Sequence, residues 1–197
     1  MELAEWGLVP SWTKSLEDAK VIKNKTLNAR AESIFSKPSF KEAAINKRSV
    51  LFIDGFYEHH HRSGKTFPYF IQRKDKEQMA IAALSSEWSN PVKDQKEHSF
   101  SIVTTKANNL MSTIHNNPNL PEPRMPLILR NESIEAWLSE SVSEYKHEVL
   151  DGLMLPISSE ELISHTVKKF KRDGSGKNDE SATDEFHYPE LGPTLFD

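Results

Sequence analysis

Three polar spots in this 197-residue chain interrupt apolar surroundings and are of the types that move protons or hold anions. Asn28, Arg30 and Glu32 alternate along one short stretch, Glu58 follows Gly55-Phe56-Tyr57, and His115 follows Leu110-Met111-Ser112-Thr113-Ile114. A carboxylate flanked by Ile53, Phe56 and Tyr57 is a candidate for a raised pKa, because burial disfavours its charged form, and such a group can act as general acid or base. Period-2 alternation along a strand gives the plainer alternative, that Glu58 points outward. An imidazole titrates at about pH 6.5, so His115 is either a proton shuttle or a helix-end residue that satisfies the last carbonyls.

The run Glu58-His59-His60-His61 invites a metal reading. Adjacent residues of an extended segment point to opposite faces, however, and neither Cys nor a His-Glu-x-x-His helix accompanies them. A solvent-facing histidine run is the expectation, with neither a metal nor an organic cofactor. Trp6 and Trp12, together with Arg30, Lys37 and Phe40, would suit single-stranded nucleic acid, where bases stack on aromatics and cations track phosphates. The area a tryptophan buries argues instead that both are core, and that is the expectation for them.

The elements that must position these residues read as mixed α+β. Asn28 to Ser33 suits a loop leading into a helix, and Ser39 to Asn46 a short helix. Ser49 to Ile53 and Phe56 to Glu58 read as two buried strands around a turn or bulge at Asp54-Gly55. A polar hairpin at Arg62-Ser63-Gly64-Lys65 leads to strands at Pro68–Gln72, Met79–Leu84 and Ser99–Thr104, an order that favours an antiparallel sheet. Asn108 to Ile114 reads as a helical turn or two, Arg124 to Leu129 as a strand, and Ser133 to Leu138 as an amphipathic helix capped by Ser133.

Length and composition bound the rest. The chain suits one domain over 1–170, a flexible charged loop over 171–185 and a C-terminal anchor and tail over 186–197. With 37% hydrophobic residues, no stretch approaches a membrane span, and there is no cysteine for a disulfide framework. No secretory signal is evident, so a cytoplasmic monomer is expected. The net charge of −4 excludes bulk electrostatic coating of nucleic acid, so any DNA contact must use a local patch.

Trp6-Gly7-Leu8-Val9-Pro10, Asn28-Ala29-Arg30-Ala31-Glu32, Asp54-Gly55-Phe56-Tyr57-Glu58, Pro68-Tyr69-Phe70, Thr104-Thr105-Lys106-Ala107-Asn108, Ile114-His115 and Arg124-Met125-Pro126 resemble, block by block and in order, the SOS-response-associated peptidase (SRAP) family. The resemblance implies a curved, barrel-like, mainly antiparallel sheet with peripheral helices. It also implies binding of single-stranded DNA that carries abasic sites, covalent crosslinking there, and a related autoproteolytic or peptidase-like activity. Members are known for a cysteine directly after the initiator Met, whose amine and thiol close a thiazolidine on the ring-opened sugar. The resemblance makes Asn28, Glu58 and His115 the catalytic set: Asn28 positions the terminal residue, Glu58 acts as acid/base and His115 assists sugar opening. Arg30 and Arg124 would hold phosphates, and Trp6, Gly7 and Lys37 would contact the strand.

Three departures accompany it. There is no cysteine, His59 stands where an aromatic commonly follows the glutamate, and Asn116 to Pro123 lengthen the connection from His115 to Arg124. Relative to the family, roughly fifty N-terminal residues are expected to be missing, about a quarter of a usual domain. A non-covalent DNA-binding remnant, or a hydrolase or lyase that uses water, therefore stands as an alternative.

Overall fold

The computed structural model describes residues 3–139, 148–169 and 180–192. It has the strands β1 (Ala4–Trp6), β2 (Asn28–Arg30), β3 (Arg48–Ile53), β4 (Gly55–Arg62), β5 (Lys65–Arg73), β6 (Met79–Asn90), β7 (Gln95–Lys106), β8 (Arg124–Pro126), β9 (Ile128–Leu129) and β10 (Leu162–Thr166). The helices are α1 (Leu16–Lys23), α2 (Pro38–Asn46), α3 (Asn109–Ile114), α4 (Ile134–Leu138) and α5 (Glu148–Asp151). The mixed α+β class expected from the sequence is what forms. The strands make one seven-stranded and one three-stranded sheet, and among the described residues no pairing closes either into a barrel.

The chain divides into two compact units, the first formed by residues 1–52, 79–106 and 125–157. Its spine is the β6–β7 hairpin, paired from Ala83↔Ile102 to Asn90↔Gln95 at the tip. The apolar run Met79–Leu84 is buried at every position, as a strand covered on both faces must be. Beyond Ala83 the two strands part. Leu127 sits between them, donating its N–H to the Val103 carbonyl at 2.8 Å and accepting from the Ala82 N–H at 2.9 Å. The expected single strand over Arg124–Leu129 is therefore two, β8 on β7 and β9 on β6. Phe40, Ala43 and Ala44 recur at helical spacing on the buried side of α2, and small residues there and at Ala80 and Ala82 allow helix and sheet to approach closely.

Several local expectations are corrected. Asn28–Arg30 is a strand rather than a loop, paired parallel to β7, and α1 precedes it, capped by the Ser15 hydroxyl on the Asp18 N–H. Ser133 precedes α4 without a side-chain cap, because a 3-10 turn over Asn131–Ser133 leads into the helix. Trp6 and Trp12 are about half exposed, at 48% and 52%, whereas Trp88 and Trp137 are the buried pair. Each buried ring satisfies its indole N–H inside the fold, Trp88 donating to Thr13 O and Trp137 to Ser49 O. Arg48 ties helix ends together, its guanidinium donating to the Ala44 and Ile45 carbonyls at the end of α2 and to the Trp137 and Ser139 carbonyls at the end of α4.

The second unit comprises residues 53–78, 107–124 and 158–197. Its sheet runs β10-β5-β4, antiparallel throughout, with the β4–β5 turn at Ser63-Gly64, both at positive φ. β3 and β4 thus belong to different sheets and do not pair around Asp54, and Phe52 is 60% exposed rather than buried. Gly55 is required where β4 begins: a Cβ there would stand 2.6 Å from the Ile71 carbonyl oxygen and closer still to the Phe70 ring. Most of the charged segment expected as a mobile loop lies outside the described residues; its last part, Glu180–Thr183, is a 3-10 turn. Leu191 is buried, and the Tyr188 ring packs edge-on against Phe67.

Candidate acid/base site

Glu58 and His115 meet within the second unit. Glu58 lies in the middle of β4, opposite Tyr69 of β5, and is only partly covered, its side chain 26% exposed. Glu58 Oε1 accepts from the His59 N–H at 2.7 Å, and Oε2 lies 3.4 Å from His115 Nδ1. His115 is the residue on which α3 ends, and its backbone N–H donates to Met111 O at 2.7 Å. Its ring does not cap that helix. Nδ1 lies 2.7 Å from the Arg124 carbonyl oxygen, and a carbonyl can only accept, so Nδ1 carries the hydrogen and Nε2 of the neutral ring is left with its lone pair. Nε2 is thus the ring nitrogen whose lone pair can accept a proton, and the Glu58 carboxylate lies beside the other nitrogen.

Arg124 contributes to this site through its backbone. Its side chain is largely covered, 11% exposed, with a 3.2 Å ion pair from Nη1 to Glu122 Oε1. The long connection from His115 thus returns to within one hydrogen bond of the ring it left.

Two neighbours of the pair, one in the histidine run and one beside it, were not expected. His59 is exposed, but His60 is buried at 5%, which corrects the picture of a solvent-facing run. His60 Nδ1 donates to the Thr113 carbonyl at 3.0 Å, at the end of α3, and burial pushes its imidazole below the ordinary range, so the ring is held neutral. The second is Asn116, bonded through its carboxamide to the backbone of His61. Neither contact has a composition or spacing signal, because each is made with backbone groups distant in sequence. Tyr69, opposite Glu58, is buried at 4%, and burial pushes its phenol up to about 12, so it stays protonated.

The other expected site residues fall in the first unit. β1 and β2 both pair with β7, end to end along its length, and the Trp6 indole N–H donates to Leu27 O at 2.7 Å, beside Asn28. In β2, Asn28 and Arg30 are exposed while Ala29 between them is buried, so both project from the same outward face. Trp6, Asn28 and Arg30 therefore share a stretch of surface. Gly7 is buried and serves the backbone: at φ +109, with a Cβ that would stand 2.6 Å from the Lys23 carbonyl oxygen, no other residue fits. Lys37 is exposed at the start of α2. Among the described residues no group of three or more His, Cys, Asp or Glu is placed to hold a metal ion, and no helix is long and apolar enough to cross a membrane.

Residues 1–170 match the family described as SOS response associated peptidase (SRAP). The chain is 34% identical over 163 residues to the abasic site processing protein YoqW of Bacillus subtilis, covering 82% of this chain and 66% of that protein. It is 33% identical over 153 residues to the abasic site processing protein HMCES of Gallus gallus, covering 68% of this chain and 43% of the relative. The chain thus spans somewhat under two thirds of the length of YoqW and less than half of HMCES. A crystal structure of a protein from Bacteroides thetaiotaomicron superposes with a TM-score of 0.83 at 34% identity, covering 92% of this chain and 75% of that one.

Proposed function

The chain belongs to the SOS response associated peptidase family, and from that premise we propose that it recognises single-stranded DNA at abasic sites and transfers protons there through Glu58 and His115. The observation that carries this reading is the geometry at His115: Nδ1–H is fixed on the Arg124 carbonyl, the Glu58 carboxylate lies 3.4 Å from the same nitrogen, and Nε2 is left as the proton acceptor. Ring-opening of an abasic deoxyribose needs a proton taken from one oxygen and given to another, and a partly covered carboxylate–imidazole pair does both. In this reading Asn28 orients the nucleophile, Arg30 and Arg124 hold flanking phosphates, Trp6 and Lys37 line the path of the strand, and Gly7 shapes the backbone beside Trp6. On the same reading the protein works as a monomer without metal or cofactor.

The chain contains no cysteine, so a thiol that would close a thiazolidine is not among its residues. In this reading these residues supply recognition and acid/base chemistry, and closing a thiazolidine needs a thiol from outside them. Non-covalent binding is the second reading, favoured by that missing thiol.

Fluorescence anisotropy of this chain with a labelled single-stranded oligonucleotide, intact or carrying one abasic site, tests the proposal. Tighter binding to the abasic strand, by about tenfold or more, is the expected result, on the scale of one or two charge-assisted hydrogen bonds. Equal affinity for the two strands, or none for either, would overturn it.

A further inference from the structure

We propose that Asn116 is a positioning residue, whose carboxamide fastens the segment carrying His115 to the strand carrying Glu58. In the second unit's sheet β4 is an edge: β5 pairs with one side, and no strand among the described residues pairs with the other. Asn116 occupies that open side. Its Oδ1 accepts from the His61 N–H at 2.7 Å and its Nδ2 donates to the His61 carbonyl at 2.9 Å, the two-point exchange that an adjacent strand residue would make.

The place of this contact is what gives it a role. Asn116 directly follows His115, and His61 lies three residues beyond Glu58 on the same strand. His115 itself has left the helix, at φ −83 and ψ 60. The eight residues from Asn116 to Pro123 then separate it from Arg124, whose carbonyl sets its tautomer. A connection of that length fixes neither end by itself. The bond from His60 to the Thr113 carbonyl holds the residues before His115, and Asn116 holds the residue after it. The imidazole is thereby fastened to β4 on both sides.

This role rests on the acid/base reading of Glu58 and His115. The test is nitrogen-15 NMR of the His115 ring across pH in the full chain without DNA, so a lack of abasic-site affinity would leave its outcome intact. In the native chain His115 is expected as the Nδ1–H tautomer. Asn116→Ala should shift the tautomer ratio towards Nε2–H by about fivefold, the effect of one net hydrogen bond on an equilibrium. Asn116→Asp, which keeps the acceptor but loses the donor, should shift it in the same direction and serves if the alanine variant does not fold. Variants with a native-like melt and an unchanged tautomer ratio and titration would show that Asn116 only braces the strand edge, and would overturn the proposal.

Discussion

Glu58→Gln is expected to slow adduct formation on abasic single-stranded DNA by about 10²–10⁴-fold, the range that a positioned general acid/base supplies. The assay uses the chain joined to the N-terminal segment of a relative that begins Met-Cys, because the thiol is absent from these residues. Glutamine has the size of glutamate and still offers an oxygen to the His59 N–H that Glu58 now receives at 2.7 Å, so the strand keeps its local bonding. What is lost is the ability to gain and release a proton and the negative charge beside His115 Nδ1. His115→Ala should cost a comparable factor, and the double variant little more than the worse single one, because residues that act as a unit are not additive. A terminal α-amine has an ordinary pKa of about 7.7–8.0, so its neutral nucleophilic form is available near pH 8, and assays at that pH isolate the later proton transfers. Glu58→Gln at the native rate would remove the carboxylate from the chemistry.

Trp137→Ala destabilises the first unit by about 3–5 kcal/mol, the usual cost of truncating a fully buried aromatic. Trp137 has no exposed surface and packs in the main core with Phe40, Ala44 and Leu129. Its indole N–H donates to Ser49 O at 2.9 Å, so truncation also strands a carbonyl at the start of β3. For a chain of this size the melting midpoint should fall by on the order of 10 °C, read by circular dichroism. Trp6→Ala is the control: this indole is half exposed, and its loss should move the midpoint far less. A fall of similar size in both variants would contradict the division of the tryptophans into core and surface pairs.

The strands and helices that were legible are those built from local pattern. Met79–Leu84 announces a doubly covered strand because every residue is apolar, and Asn108 announces the start of α3 because its side chain caps the Met111 N–H. What could not be read depends on distant partners. β1 and β2 are three residues each and exist only because β7 offers them an edge. β10 holds a single short run, Leu162–Thr166, and is a strand by virtue of β5. The two half-exposed tryptophans were misplaced because burial area describes tryptophans in general and says nothing about which of the four the fold encloses.

At the site, residue types and order were enough to single out Glu58 and His115, and the geometry joins them through Nδ1. The exposed-strand and helix-cap alternatives could be separated only in three dimensions: the His115 ring turns away from its own helix to the Arg124 carbonyl nine residues on. The contacts of His60 and Asn116 gave no signal, because their partners are the backbone of Thr113 and of His61. Arg124 was chosen for its guanidinium, whereas the contribution seen at this site comes from its carbonyl.

The measurement that tests the central claim most directly is a denaturing gel of this chain, and of the form carrying a Met-Cys segment, each incubated with single-stranded DNA bearing one abasic site. A shifted band with the cysteine-bearing form and none with this chain alone is the predicted result, since the chain contains no thiol. No shift with either form would contradict abasic-site capture on this framework, and a shift with this chain alone would contradict the requirement for an outside thiol.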